Sequence, residues 1–355
     1  MDNKREMVIE ELVSRLILDE KISIIHGIGL FHNGGVERLG ILELVMSDDP
    51  MGVRNDFENA QWRVIGNTDD YVSYLPSNSA LAATWNHDLA YEAGTVLGEE
   101  ARGRGKDVIL APGVNIKRSP LCGRNFEYMS EDPYLTGEMA VPLAKGVQSA
   151  DTAACVKHFS LNNQETERLW VEVKVSERAL REIYLPAFEK VVKEGHVYSV
   201  MGAYNRYNGE HCCESKTLLN GVLRDEWKFD GMVVSDWGGV HDTDQAIKNG
   251  LDMEFGSWTD GLANGSSNAY DNYYLAMPYL ERIKSGKVGT NELDDKVRRI
   301  LRLSFRTTMD MNRPLGSMLS PEHYEAARRI GEEGIVLLQN KGALLPIDLN
   351  KAKKI

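Results

Sequence analysis

Short apolar runs recur along this chain, and each one stops abruptly at polar residues. Val108–Leu110, Ala153–Val156, Tyr198–Gly202, Met232–Val234 and Leu251–Phe255 have strand length and β-rich composition. The same pattern places strands at Ile41–Val45 and Leu81–Thr84. Between these runs the apolar spacing turns helical. Residues 5–19 carry Val8, Leu12 and Leu16 on one face. Asn86-His87-Asp88 caps a helix running through Gly98 and Arg102, and further helices cover roughly Leu135–Ser149, Ser176 to about Lys193, Leu218–Trp227 and Gln245–Asn249. A Thr290-capped helix runs to about Phe305, and Ser320-Pro321 opens another with proline in its first turn.

Alternating strand and helix patterns predict βα units around a parallel sheet, and six or more of them in about 300 residues predict a (β/α)8 barrel of TIM type. The expected division is a barrel over residues 1–310, then a helical linker and the start of a second α/β domain over 311–355. Gly334–Asn340 and Leu344-Leu345-Pro346 lead toward an apolar strand there, but the sequence stops at Ile355. The stretch Phe229–Gly239, F-D-G-M-V-V-S-D-W-G-G, shows what such a strand end offers. A buried run halts at Asp236 beside Trp237, where a barrel keeps its chemistry, although an aspartate there also suits a helix cap.

Charge narrows the partners. The chain has 53 acidic and 41 basic residues, a net charge of −12, which argues against nucleic acid and anionic membrane surfaces. The N-terminus lacks an apolar stretch of signal-peptide length, and no later run approaches a membrane span, so a cytoplasmic location is the default expectation. Cys122, Cys155, Cys212 and Cys213 show no metal-ligand spacing and read as idle or buried thiols. No Gly-rich phosphate loop opens a helix, so neither a nucleotide cofactor nor a metal is expected.

Asp48, Arg124, Lys157, His158, Arg168, Tyr204, Asp236 and Trp237 gather at the expected strand ends or in the loops after them. Carboxylates and cations of this kind hold sugar hydroxyls bidentately, and tyrosine and tryptophan faces stack on a pyranose, which implies a small carbohydrate partner. Two other readings stand beside it. Asp48 and Arg124 are also ordinary turn and surface residues, and Lys157-His158 also suits a Schiff-base lysine beside a proton shuttle, as in an aldolase.

Five phrases in order tip the balance: S-D-D-P-M-G-V-R (47–54), G-R-N-F-E-Y-M-S-E-D-P-Y-L-T-G (123–137), K-H-F-S-L-N-N-Q-E-T-E-R (157–168), M-G-A-Y-N-R-Y-N-G (201–209) and V-V-S-D-W (233–237). Together they resemble family 3 glycoside hydrolases, the β-glucosidase and β-xylosidase group. The tail G-I-V-L-L-Q-N-K-G-A-L-L-P-I (334–347) is similar to that family's bridge to a second domain. The resemblance implies a retaining β-glycosidase acting on terminal β-D-glucosyl residues. Asp236 would be the nucleophile, kept ionised by Arg124 and Lys157, with Trp237 at the sugar face. Asp48, Arg124, Lys157, His158 and Arg168 would bind the glycone, and Tyr204 and Met201 would sit beside the nucleophile.

The chain departs from the family pattern twice. Asp49 stands where many relatives have glycine. The general acid/base of two-domain relatives lies on the second domain, so a further domain or chain would complete the site; Glu127, Glu131, Glu165 and Glu254 are not matched to that role. Alternatives within the resemblance are a β-xylosidase, a β-N-acetylglucosaminidase, whose K-H-F-P-G-H-G motif reads K-H-F-S-L-N-N here, and a non-catalytic sugar-binding fragment.

Overall fold

The computed structural model describes residues 3–56, 63–66, 71–256, 269–310, 312, 314–351 and 354. Its strands are β1 (Met46–Ser47), β2 (Val108–Ile109), β3 (Ala153–Phe159), β4 (Glu172–Val173), β5 (Ser199–Gly202), β6 (Arg206–Tyr207), β7 (Glu210–His211) and β8 (Met232–Val234). Five of them form one parallel sheet in the order β1-β2-β3-β5-β8. Helices His87–Gly103, Pro133–Ser149 and Pro186–Lys193 return the chain between successive strands of this sheet. The strands are buried on both faces, which is why they read as unbroken apolar runs rather than alternating ones. Because all five run the same way, their C-terminal ends share one edge, and every residue just past a strand faces the same space.

The architecture is an α/β fold whose parallel sheet curves as a half-barrel. Beyond β8, among the described residues, the pairing continues as single parallel bridges, Val234 with Met253 and Glu254 with His26. The Leu251–Phe255 run therefore contributes bridges and no ladder. In place of a regular βα unit, residues 26–45 double back through antiparallel bridges, Gly27 with Asn33 and His32 with Val45. Asn33 explains how: its amide donates to Ile24 O at 2.8 Å and its Oδ1 accepts from Leu44 N at 2.7 Å. One buried side chain thus stands in for strand hydrogen bonds in a glycine-rich stretch that makes a poor strand.

Leu81–Thr84, read as a strand, instead ends a helix, Asn78–Ala83, whose first turn is capped by the Ser77 hydroxyl. Three alanines among four residues favour helix, and the cap decides it. The long helix expected from Ser176 is real at its start, where Ser176 Oγ accepts from Ala179 N. It widens into a π-helical turn at Leu180–Tyr184 before Pro186 opens a second segment, because proline has no N–H to continue the ladder.

Helices His87–Gly103 and Pro133–Ser149 meet along a glycine seam. A Cβ on Gly94 would strike the Leu143 carbonyl and one on Gly146 the Tyr91 carbonyl, so only glycine allows this approach. Helix Pro321–Glu333, assigned to the linker by sequence, lies on the same side. Ala326 and Ile330 enter the core, and His323 bridges Glu99 and Glu100 at 2.9 and 2.8 Å. Among the described residues, no helix is long and apolar enough to cross a membrane.

Candidate active site

A pocket of about 210 Å³ opens at the shared C-terminal edge of the sheet. Asp48 enters it just after β1, Arg124 from the loop after β2, Lys157 and His158 from the end of β3, Arg168 from the loop beyond, Met201 from β5, Tyr204 just after it, and Asp236 and Trp237 just after β8. All nine residues singled out from the sequence line this one space, together with Phe31, Arg54 and Leu110. A larger cleft of about 680 Å³ beside it, between the loops after β2 and β3, lacks a comparable set of charges.

The floor is an ion-pair network. Lys157 Nζ, 2% exposed, donates to Asp48 Oδ1 at 2.6 Å and lies 3.7 Å from Glu127 Oε2. Burial pushes the Asp48 carboxyl up, but the Lys157 ammonium outweighs it and brings the pKa down to about 2. Burial likewise disfavours the Lys157 ammonium, yet Asp48 and Glu127 hold its pKa above the ordinary value. A Schiff-base lysine needs a neutral amine, so this environment disfavours the aldolase reading.

His158 is fixed from both ring nitrogens. Arg124 Nη2 lies 2.8 Å from Nε2, and Tyr128 Oη lies 3.0 Å from Nδ1. A guanidinium can only donate, so Nε2 accepts and Nδ1 of the neutral ring carries the proton toward Tyr128. Burial, then Arg124 and Lys157, push the His158 pKa well down, consistent with that neutral form. Nε2 therefore has no hydrogen to offer Asp236, whose Oδ2 lies 3.7 Å away.

Asp236 is held by one oxygen only. Oδ1 accepts from the Trp237 amide at 2.8 Å, while Oδ2 is buried with no hydrogen-bond partner among the described residues. The expectation that neighbouring cations keep this carboxyl below its ordinary value is not met. Burial dominates and raises its pKa, and Arg124, Lys157, the Trp237 amide and the Tyr204 hydroxyl offset only part of that cost. Trp237 closes one side, its ring stacked on Phe255 at 4.8 Å and its Nε1 bonded to Leu30 O at 2.8 Å. Arg168 lies over the Tyr204 ring at 4.6 Å and pairs with Glu165 at 2.7 Å.

Several contributors were not legible beforehand. Arg54, last in the S-D-D-P-M-G-V-R phrase, lies 3.5 Å from Asp48 and packs over Phe31. Glu127 is a buried counter-ion to Arg124 and Lys157, Glu165 is tied to Arg168, and Glu254 accepts from the Tyr274 and Leu275 amides. Glu131 is exposed.

Asp49 sits at φ 88°, a left-handed conformation that favours glycine, with Oδ1 accepting from Met51 N at 3.0 Å. Burial raises its pKa, and Asp48 and Glu127 add to that. The sign follows: ionised Asp49 weakens the fold above its raised pKa, and the penalty vanishes once it is protonated in both folded and unfolded chains. Asp49→Asn keeps the acceptor, tolerates the conformation and removes the charge. It should stabilise the protein by roughly 0.5–1 kcal/mol at pH 7 and by nothing below about pH 4. Urea unfolding at both pH values checks this, and a loss of stability at pH 7 would contradict it.

Residues 46–303 match the N-terminal domain of glycosyl hydrolase family 3. The chain is 48% identical over 355 residues to beta-glucosidase BoGH3A of Bacteroides ovatus, covering 99% of this chain and 48% of that protein. It is 39% identical over 340 residues to an exo-alpha-(1->6)-L-arabinopyranosidase of Bifidobacterium longum, covering 95% of this chain and 42% of that one. Beta-glucosidase 3B of Thermotoga neapolitana, solved in complex with alpha-D-glucose, superposes with a TM-score of 0.84 at 38% identity over 95% of this chain and 48% of its own. The chain thus spans about half the length of the relatives it matches.

Proposed function

The chain belongs to glycosyl hydrolase family 3 through its N-terminal domain, and from that premise we propose that it is the glycone-binding and nucleophile-bearing part of a retaining β-glucosidase. One observation carries the reading: Asp236 is anchored through Oδ1, and its buried Oδ2 has no hydrogen-bond partner among the described residues and lies at a pocket of monosaccharide size. A nucleophilic carboxylate needs one free oxygen and a fixed orientation.

Asp48, Arg124, Lys157, His158 and Arg168 bind the sugar hydroxyls in this reading, and Met201, Tyr204 and Trp237 shape the pocket around the ring. Asp236 Oδ2 attacks the anomeric carbon, the aglycone oxygen departs with its bonding electrons and takes a proton from a general acid, and water later hydrolyses the glycosyl ester. Burial raises the Asp236 pKa. Bound sugar hydroxyls and developing positive charge at the anomeric carbon would favour the ionised form in the transition state.

The general acid in this proposal comes from outside residues 1–310, where the family resemblance places it; among the described residues Glu127 and Glu165 pair with pocket cations and Glu254 accepts from backbone amides. A second domain beyond residue 310 supplies it and covers the exposed Ile335, Val336, Leu337 and Leu338, which are 57–91% exposed here. The bridges at 26–45 and 253–254 belong, in this reading, to an irregular closure of an eight-stave barrel.

Incubation with 2-deoxy-2-fluoro-β-D-glucosyl fluoride tests the assignment, since fluoride departs without protonation. A fluoroglucosyl adduct on the peptide carrying Asp236 is expected. An adduct on any other residue removes Asp236 from the role, and a panel including the β-xyloside and α-L-arabinopyranoside measures glycone preference.

A further inference from the structure

Beyond the pocket, β4, β6 and β7 form a small separate sheet in the order β4-β6-β7, a lip built from the segments that follow β3 and β5. Trp170 stands just before β4 and His211 ends β7. His211 lies 6.3 Å from Trp170 at 78°, and His241, from the loop after β8, lies 5.2 Å from Trp170 at 53°. The two imidazoles stack on each other at 3.8 Å and 26°.

This cluster is tied to the pocket. His211 Nδ1 lies 3.3 Å from the backbone oxygen of Tyr204, a pocket residue. Trp170 follows another, Arg168, by two positions. The His241 loop is held by Glu214 Oε2, which accepts from the His241 and Asp242 amides at 3.0 Å each. Burial lowers the pKa of both imidazoles, that of His241 to about 4, so neutral rings can stack without repulsion. Yet Trp170 itself remains 57% exposed. A large ring held by two imidazoles and still more than half exposed, two positions from Arg168 of the sugar-sized pocket, is an apolar surface available to a group that projects from the bound sugar.

We propose that Trp170, braced by His211 and His241, is the stacking platform for the leaving group, and that it favours glycosides whose aglycone is flat, whether an aryl ring or a second pyranose. This rests on the glycosidase reading, because a leaving group presupposes a bound glycone.

Two inactivators separate the platform from the pocket. The 2-deoxy-2-fluoroglucosyl fluoride loses a single atom and reaches nothing beyond the glycone, whereas the dinitrophenyl 2-deoxy-2-fluoroglucoside carries an aryl ring. In the full-length chain, Trp170→Ala should slow inactivation by the aryl compound about tenfold and by the fluoride less than about twofold, and Trp170→Phe should restore most of the difference. Unchanged reaction with the fluoride also shows that the variant is folded. kcat/KM on aryl glucosides and on cellobiose then identifies the source: a fall on both supports a general flat-face platform, and a fall on aryl substrates alone supports a platform for phenolic aglycones. Equal slowing with both inactivators would make Trp170 a structural support, and no change with either would leave it facing no leaving group; each overturns the proposal. If the parent chain reacts with neither compound, the glycosidase reading itself falls and the platform with it.

Discussion

Asp236→Asn should leave a folded protein whose turnover of aryl β-glucosides drops by roughly four to six orders of magnitude, the scale seen when a covalent nucleophile is removed. The amide keeps the shape of the side chain and can still accept from the Trp237 N–H, but the group facing the pocket is no longer a carboxylate oxygen. Stability should hold or rise. Burial raises the pKa of Asp236, so its ionised form is less favourable folded than unfolded, and a neutral amide removes that burden. The same shift sets a sign for catalysis: activity of the parent should fall as pH drops through a value above that of an ordinary aspartate. Asp236→Gly supplies the complementary test. Azide added to that variant should occupy the vacated space and give an α-configured glucosyl azide by single displacement. Parent-like turnover by Asp236→Asn would overturn the assignment.

The sequence made much of the pocket legible because Asp48, Lys157, His158, Met201, Tyr204, Asp236 and Trp237 lie in or just after apolar runs whose ends parallel pairing brings to one edge, while Arg124 and Arg168, farther along their loops, stood out through the family phrases. β3 carries Lys157-His158 next to its last residue and β8 runs directly into Ser235-Asp236, so their parallel pairing through β5 brings these residues to the same edge. What it hid depends on distance through space. Glu127 reads as one acid in a polar loop until the fold sets it behind Lys157 and Arg124. The direction of the Asp236 shift was hidden for the same reason: cations are visible in a motif, whereas the depth of burial that outweighs them is not. Leu81–Thr84 misled because a short apolar run has no clear period, and only the Ser77 cap distinguishes helix from strand there. The doubling-back at 26–45 needs a buried Asn33 satisfying two backbone groups, which no hydrophobic pattern encodes. Trp170 escaped because its braces come from two distant segments.

Lys157→Met should damage stability and catalysis together, and the two losses should separate in a double variant. Methionine fills the volume of the buried stem but removes the ammonium, leaving Asp48 and the buried Glu127 without their shared cation. Breaking a fully enclosed pair costs about 3–5 kcal/mol; with the Asp48 side chain 36% exposed, about 2–3 kcal/mol is expected here. The pH dependence has a definite sign. The Asp48 pKa is depressed to about 2, so the stability it contributes is complete above its ordinary value near 4 and is lost as pH falls through 2. The gap between parent and variant should therefore be full at pH 7 and narrow below about pH 4, as urea unfolding at the two pH values would show. Catalysis should fall roughly 10²–10³-fold, mainly in kcat, if the ammonium holds a sugar hydroxyl more tightly as charge develops on the ring. Adding Asp48→Asn removes one of the two carboxylates that lost this cation and leaves Glu127 its pair with Arg124, so much of the stability should return while activity does not. Coupling of that kind is expected of two groups that neutralise each other in the fold and bind the substrate separately. An equal stability loss at pH 7 and pH 3, or recovery of turnover in the double variant, would show that Lys157 serves only the fold or only the charge balance, and not the sugar.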